Sequence, residues 1–150
     1  MLRIAEAAYA AMVGHAYDGL PDEACGLLGG RSGEQSVDLF VPCRNTDASS
    51  RTYSIGPLDW GRAEEQFDAA GLEMVGVMHS HTHTDAYPSP TDVDKADNPL
   101  LAGWHYVIVS LSQATPMLRS YVLDDRVIAE EPVVVVGSGI TGSRSGVALP

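Results

Sequence analysis

Hydrophobic residues recur every three or four positions in two segments of the chain, and this spacing predicts two amphipathic helices. Around residues 5–15, Ala8, Met12 and Ala16 fall on one helical face, and residues 19–21 contain the glycine and proline that end the segment. Residues 57–70 have a proline at the start and a glycine just after the end, which are typical helix boundaries. Each helix is expected to bury one face against the rest of the protein.

Other segments are continuously apolar or alternate in the manner of β-strands. Besides an apolar strand that closes at a Gly-Gly turn, the predicted strands are residues 1–4, 35–41, 53–55, 74–78, 104–111, 117–123 and 127–136, the last with an edge or break near Pro132. This order predicts an α+β domain over residues 1–136, with a mixed, largely antiparallel sheet flanked by helices. Residues 137–150 are rich in glycine and serine and are predicted to be a disordered tail.

Composition excludes several classes of function. The 150 residues carry a formal net charge of −11, which argues against a nucleic-acid partner because phosphate binding needs clustered lysine and arginine. No apolar run approaches the roughly 20 residues of a membrane helix, so no membrane partner is expected. The first residues lack the apolar core of a signal peptide, which predicts a cytoplasmic location.

A histidine pair at the end of the 74–78 strand is the main candidate for chemistry. His79 and His81 are two positions apart and would point to the same face of a strand. A catalytic zinc needs a third protein ligand, and Asp92 is the best candidate. Asp92 lies in the first turn of a short helix predicted over residues 90–97, with Ser89 as its N-cap. These residues predict a zinc site.

Other interpretations of the same residues remain open. His83 could complete a three-histidine face, or the histidines could be surface residues at a strand end, with Asp92 serving only as a capping carboxylate. Cys25 could be the nucleophile of a Cys-His hydrolase, although its apolar surroundings favour an inert thiol. Glu23, taken alone, would be a solvated turn carboxylate.

The combined pattern resembles one known family. Glu23 followed by Cys25-Gly26-Leu27-Leu28-Gly29, then His79-x-His81, seven residues and Ser89-x-x-Asp92, is similar to the signature of the JAMM (MPN-type) zinc metalloproteases, and the resemblance runs from about residue 2 to 136. It implies a cytidine-deaminase-like fold and one Zn²⁺ bound by His79, His81 and Asp92, with Glu23 as general base. Ser89, beside the metal ligand, could donate to the oxyanion. Thr82 departs from the proline that many members carry.

Finer features resemble an actinobacterial branch of this family, and this implies a substrate. It would be a ubiquitin-like sulfur-carrier protein whose Gly-Gly end bears a cysteine in amide linkage, so that hydrolysis releases cysteine. Two alternatives are a peptidase or isopeptidase that trims another ubiquitin-like tail, and a catalytically silent interaction module. A homodimer is one arrangement that the sequence leaves open.

Overall fold

Two β-sheets carry the fold in residues 1–137, the part of the chain that the computed structural model describes. Most of the predicted tail, residues 138–150, lies outside the described residues. The helices are α1 (Glu6–Gly19), α2 (Pro57–Ala69) and α3 (Pro90–Ala96). The strands are β1 (Leu2–Ala5), β2 (Cys25–Gly30), β3 (Ser36–Val37), β4 (Leu39–Cys43), β5 (Glu73–His81), β6 (His105–Ser110), β7 (Met117–Val122), β8 (Ala129–Glu131) and β9 (Val133–Val136).

The larger sheet has six strands in the order β4-β2-β5-β6-β7-β8. Its neighbouring strands are antiparallel except for β5 and β6, which run parallel with His79 opposite Ile108. The smaller sheet has the order β3-β1-β9, and its strands are parallel. The predicted class, α+β with a mixed and largely antiparallel sheet, is confirmed. The sequence did not reveal that the strands divide into two sheets.

Helices cover both faces of the six-stranded sheet, so its central strands are buried on both sides. Alternate residues of β5 belong to different apolar clusters: Val77 packs in the cluster that contains Phe67 of α2, and Met78 packs in the cluster that contains Met12 of α1. Gly29 of β2 is required at the α2 contact, because a Cβ there would lie 2.4 Å from the Phe67 ring. This packing holds the end of β5 firmly.

Two predicted strands are each divided between the sheets. Residues 35–41 form β3 and β4, which separate at Asp38, where the backbone N–H donates to the Gly29 carbonyl at 2.8 Å. Residues 127–136 form β8 and β9, which separate at Pro132, a residue without an N–H for a ladder. The break that proline suggested is therefore a change of sheet.

The ends of other elements differ less from the predictions. Helix α1 ends at Gly19, as predicted. The predicted strand at residues 53–55 is instead a loop with a single bridge, between Ile55 and Asn45. Strand β5 continues through His81, beyond the predicted end at residue 78, because it pairs with β6 as far as Ser110. Within residues 1–137, no helix is long and apolar enough to cross a membrane.

Candidate active site

Three buried donor atoms meet at the carboxyl end of β5. The Nε2 atoms of His79 and His81 are 3.1 Å apart, and they lie 3.1 and 3.2 Å from Oδ2 of Asp92. All three side chains are more than nine-tenths buried. The structure thus brings together the three residues that were predicted from the sequence as metal ligands.

Local backbone structure explains this convergence. His79 and His81 are two apart on β5, so they share a face of the sheet. Asp92 occupies the third position of α3, where a reciprocal capping box fixes it: its backbone N–H donates to Ser89 Oγ at 3.1 Å, and its carboxylate accepts from the Ser89 N–H at 2.8 Å. The capping role and the ligand position of Asp92 are therefore compatible.

Contacts around the histidines orient their rings. Nδ1 of His81 is 2.7 Å from the Asp85 carbonyl, to which it can only donate, so Nε2 is the nitrogen that faces Asp92 and that a metal would bind once it is deprotonated. The His79 ring stacks on Tyr53, with centroids 4.6 Å apart and an angle of 18° between planes. The loop after β5 is anchored by Tyr121, whose hydroxyl donates to the Ala86 carbonyl. The imidazoles are thus held in place before any ligand binds.

The donor set fits a metal ion. A tetrahedral zinc with bonds of about 2.0–2.1 Å holds its ligand atoms about 3.3 Å apart, close to the separations found here. Two imidazoles and a carboxylate are ligands that zinc accepts in catalytic sites, where a fourth position stays open. His79, His81 and Asp92 form the one such cluster of potential ligands within residues 1–137.

Electrostatics in the cluster favour an ionised Asp92 and a neutral His79, but they favour the protonated form of His81, which would have to release its Nε2 proton to bind a cation. Burial lowers the pKa of His79, and the hydrogen bond to Asp92 offsets this only in part. Burial also opposes the charged form of His81, but hydrogen bonds to Asp92 and the Asp85 carbonyl outweigh it and raise its pKa. For Asp92, hydrogen bonds from both histidines overcome burial and hold its pKa well below the usual range. The carboxylate is therefore anionic, as a metal ligand must be.

Glu23 lies beside this cluster, two residues before the start of β2. It is buried, and its Oε1 has no hydrogen-bond partner within the described part of the chain. Burial raises the pKa of Glu23 to about 7, with His81 opposing and Asp92 reinforcing the rise. A carboxyl group with this pKa can both accept and release a proton near neutral pH.

Two residues that the sequence reasoning missed fix Glu23 in position. Ser80, between the two histidines, accepts a hydrogen bond from the Ala24 N–H at 2.8 Å, and its own N–H donates to the Ala24 carbonyl at 2.9 Å. On the other side, the Asn45 amide donates to the Glu23 carbonyl at 3.0 Å. No sequence motif marks Ser80, whereas the polar loop around Asn45 could have suggested a side chain that bonds to backbone.

A cleft of about 420 Å³ opens in front of these groups. Its lining includes Glu23, His81, His83 and Ser89, together with Arg51 of the loop that follows β4. The Ser89 hydroxyl accepts the Asp92 N–H but donates to no acceptor among the described residues, so its hydrogen can be directed into the cleft. Glu23, His81 and the Ser89 hydroxyl therefore line one space where a substrate could lie.

The competing interpretations receive no support from the geometry. His83 is exposed, follows the end of β5 and does not join the donor cluster. Cys25 is fully buried, and burial raises the pKa of its thiol to about 12, which leaves almost no thiolate at neutral pH. This supports the inert thiol that its apolar surroundings favoured.

A comparison with known families assigns the class. A model described as prokaryotic homologs of the JAB domain matches residues 5–124 of the chain. The chain therefore belongs to the prokaryotic JAB (JAMM/MPN-type) family, and the resemblance inferred from its motifs is confirmed.

Three individual proteins show how far the similarity extends along the chain. The chain is 39% identical to the CysO-cysteine peptidase of Mycobacterium tuberculosis over 127 residues, which are 84% of this chain and 85% of that protein. It is 34% identical to the desampylase of Haloferax volcanii over 114 residues, covering 73% of this chain and 80% of that one. The solution structure of DSY2949 from Desulfitobacterium hafniense superposes with a TM-score of 0.82 and 31% identity, covering 92% of this chain and 94% of that one. These likenesses extend over most of the chain.

Proposed function

We propose that this protein is a zinc-dependent peptidase that removes a C-terminal cysteine from the Gly-Gly end of a ubiquitin-like sulfur-carrier protein. The observation that carries the proposal is the buried cluster of His79, His81 and Asp92 beside a carboxyl group, Glu23, with a pKa raised to about 7. This pairing suits hydrolysis of an amide bond without a covalent acyl-enzyme.

The metal would be held by Nε2 of His79, Nε2 of His81 and the carboxylate of Asp92. When bound, zinc is a Lewis acid that lowers the pKa of a coordinated water to about 7. Glu23 has the position and pKa to accept a proton from the attacking water and to pass it to the leaving nitrogen. The water oxygen bonds to the glycine carbonyl carbon, the C–N bond breaks, and the products are a carrier carboxylate and a free amine.

Ser89 has a distinct role in this proposal. Its hydroxyl is held at the cleft by the capping box, and its hydrogen is free to bond to the oxygen that gains negative charge during attack. Donors aimed at this developing charge typically contribute about 100- to 1,000-fold to the rate. Because the same residue fixes Asp92, the cap aligns the donor and one metal ligand together.

Relatives support the choice of substrate. The Mycobacterium tuberculosis relative is named for a CysO-cysteine conjugate, and it matches 84% of this chain. A Gly-Gly end suits a narrow cleft, because any larger side chain next to the scissile bond would have to fit beside Glu23 and Ser89. The released cysteine would place the reaction in cysteine biosynthesis, and we propose a cytoplasmic location for it.

The Haloferax volcanii relative favours a second candidate. It is named desampylase, so a peptidase or isopeptidase that acts on another ubiquitin-like tail is the alternative activity. A catalytically silent interaction module is less well supported, because Glu23 and Ser89 line one cleft with His81, a member of the cluster of three candidate ligands.

Mass spectrometry of defined conjugates tests the proposal. A ubiquitin-like carrier that ends in Gly-Gly-Cys should lose a single cysteine, and a chelator should abolish the reaction until zinc is added back. A matched conjugate joined through a lysine side chain would test the alternative. Cleavage of the lysine conjugate alone would move the function to isopeptide hydrolysis, and a metal-free protein without either activity would leave the silent module.

A further inference from the structure

Arg51 is the fixed cation of the cleft, and nothing in the described part of the chain neutralises it. The residue is exposed and lines the same cleft as Glu23 and Ser89. Its guanidinium makes no ion pair or hydrogen bond within residues 1–137, whereas the guanidinium groups of Arg62, Arg119 and Arg126 are each paired with a carboxylate. A free guanidinium beside the reacting groups is available for an anion of the substrate.

The loop that carries Arg51 is tied to the reactive part of the site. The Glu23 N–H donates to the Ser49 carbonyl at 2.8 Å, and the Arg51 N–H donates to Ser49 Oγ at 3.0 Å. From the other side, the Thr82 hydroxyl donates to the Ser50 carbonyl at 3.3 Å. The backbone at Arg51 is thereby connected to the general-base residue and to the residue that follows His81, so its place in the cleft is defined.

The chemistry of the leaving group indicates what such a cation would bind. When a single C-terminal residue is released, its α-carboxylate carbon is about 2.5 Å from the scissile nitrogen. The carboxylate must then enter a cleft that Glu23 already lines, in a protein of net charge −11. An isopeptide substrate differs, because the group next to its scissile nitrogen is the uncharged methylene chain of a lysine.

We propose that Arg51 binds the free α-carboxylate of the leaving residue and thereby selects for removal of a single C-terminal residue. This inference rests on the proposed peptidase function. A guanidinium presents two parallel N–H donors that match the two oxygens of a carboxylate, and such charge-assisted pairs are stronger than neutral hydrogen bonds. Arg51 would therefore be a specificity residue, separate from the proton transfer of Glu23.

The test compares two substrates that differ only at the carboxylate. One is a carrier ending in Gly-Gly-Cys with a free acid, and the other is the same carrier ending in cysteinamide. Wild-type protein should have a kcat/KM about 10- to 100-fold higher for the acid, the usual range for a hydrogen bond to a charged group. Arg51→Gln should lose this preference while it keeps the wild-type rate on the amide, which also shows that the variant is folded. Arg51→Lys should retain part of the preference, because lysine keeps the positive charge but lacks the two parallel N–H donors of a guanidinium.

Two control variants make the result specific. Arg44→Gln removes the same charge from an exposed arginine that does not line the cleft, and it should keep the full preference. His83→Ala removes an imidazole donor that lines the same cleft, and it should also keep the preference.

Several outcomes would overturn the proposal. Equal wild-type rates on acid and amide would refute it while leaving the peptidase function intact, as would a preference that depends on His83 rather than Arg51. Equal losses on both substrates in Arg51→Gln would show a general effect in place of carboxylate binding. If wild-type protein with zinc cleaves neither substrate, the proposed function fails and this inference fails with it.

Discussion

Replacing Glu23 with glutamine should separate catalysis from stability. The substitution keeps the shape of the side chain but removes its ability to accept a proton. General acid–base catalysis typically contributes about 100- to 10,000-fold, so kcat should fall by that factor while the three candidate zinc ligands stay unchanged. The Asp22→Asn variant is a matched control, because it removes one negative charge from the neighbouring residue, which does not line the cleft.

The same substitution should stabilise the metal-free protein at neutral and higher pH. The unfolded chain releases the Glu23 proton near pH 4.5, whereas burial keeps it bound in the folded protein until about pH 7. Wild-type stability therefore decreases between these two pH values, and the glutamine variant avoids this loss. The full pKa difference corresponds to at most about 3 kcal/mol. Because Glu23 lies at an open cleft, solvent screening reduces the expected gain to about 1–2 kcal/mol above pH 7.

Urea unfolding of chelator-treated protein measures this effect. The stability difference between Glu23→Gln and wild type should be small at pH 4.5, increase as the pH rises and level off near pH 7.5. A variant that turns over substrate at nearly the wild-type rate would refute the general-base role. A stability difference that does not change with pH would show that Glu23 is not a carboxyl group of raised pKa.

The remaining predictions concern the groups around Glu23. Ser89→Ala should lower kcat by about 100- to 1,000-fold, because the oxyanion loses its donor, and an unchanged kcat would remove Ser89 from the mechanism. Thermal unfolding should also show a loss of about 1 kcal/mol in stability, because α3 loses its cap. Ser80→Ala should lower the free energy of unfolding in urea by about 1–3 kcal/mol, because the buried Ala24 N–H loses its acceptor. A decrease of less than about 0.5 kcal/mol would contradict that assignment. Chelation should lower the Tm of wild-type protein, and the loss should reverse as zinc is added in excess of its Kd; a Tm that does not respond to either would show that no metal binds the folded state.

Local patterns were sufficient to predict most of the elements and the central cluster. The spacing of His79 and His81 indicates a shared face because strand geometry has a period of two, and the Ser89 to Asp92 pattern indicates a helix start. In each case the residues that form the pattern lie within a few positions of one another. The link to Glu23, more than fifty residues earlier in the chain, came instead from the resemblance to a family.

Features that depend on distant pairing could not be predicted in the same way. The alternation in residues 35–41 is that of a strand, but it does not show that β3 pairs with β1 while β4 pairs with β2. Similarly, Ser80 acquires its role only because β2 and β5 are neighbours, which places Ala24 beside it. Such roles arise from the sheet order, and short segments of sequence do not encode that order.

Zinc content tests the central claim most directly. Elemental analysis by mass spectrometry should find about one zinc per chain in wild-type protein purified without chelator. Asp92→Asn should lose it, because the neutral amide replaces the one anionic ligand of the proposed site. The variant keeps an oxygen acceptor for the Ser89 N–H, so circular dichroism should show that the fold is retained. Wild-type protein that binds no zinc, or a folded Asp92→Asn that binds as much as wild type, would contradict the proposed metal site.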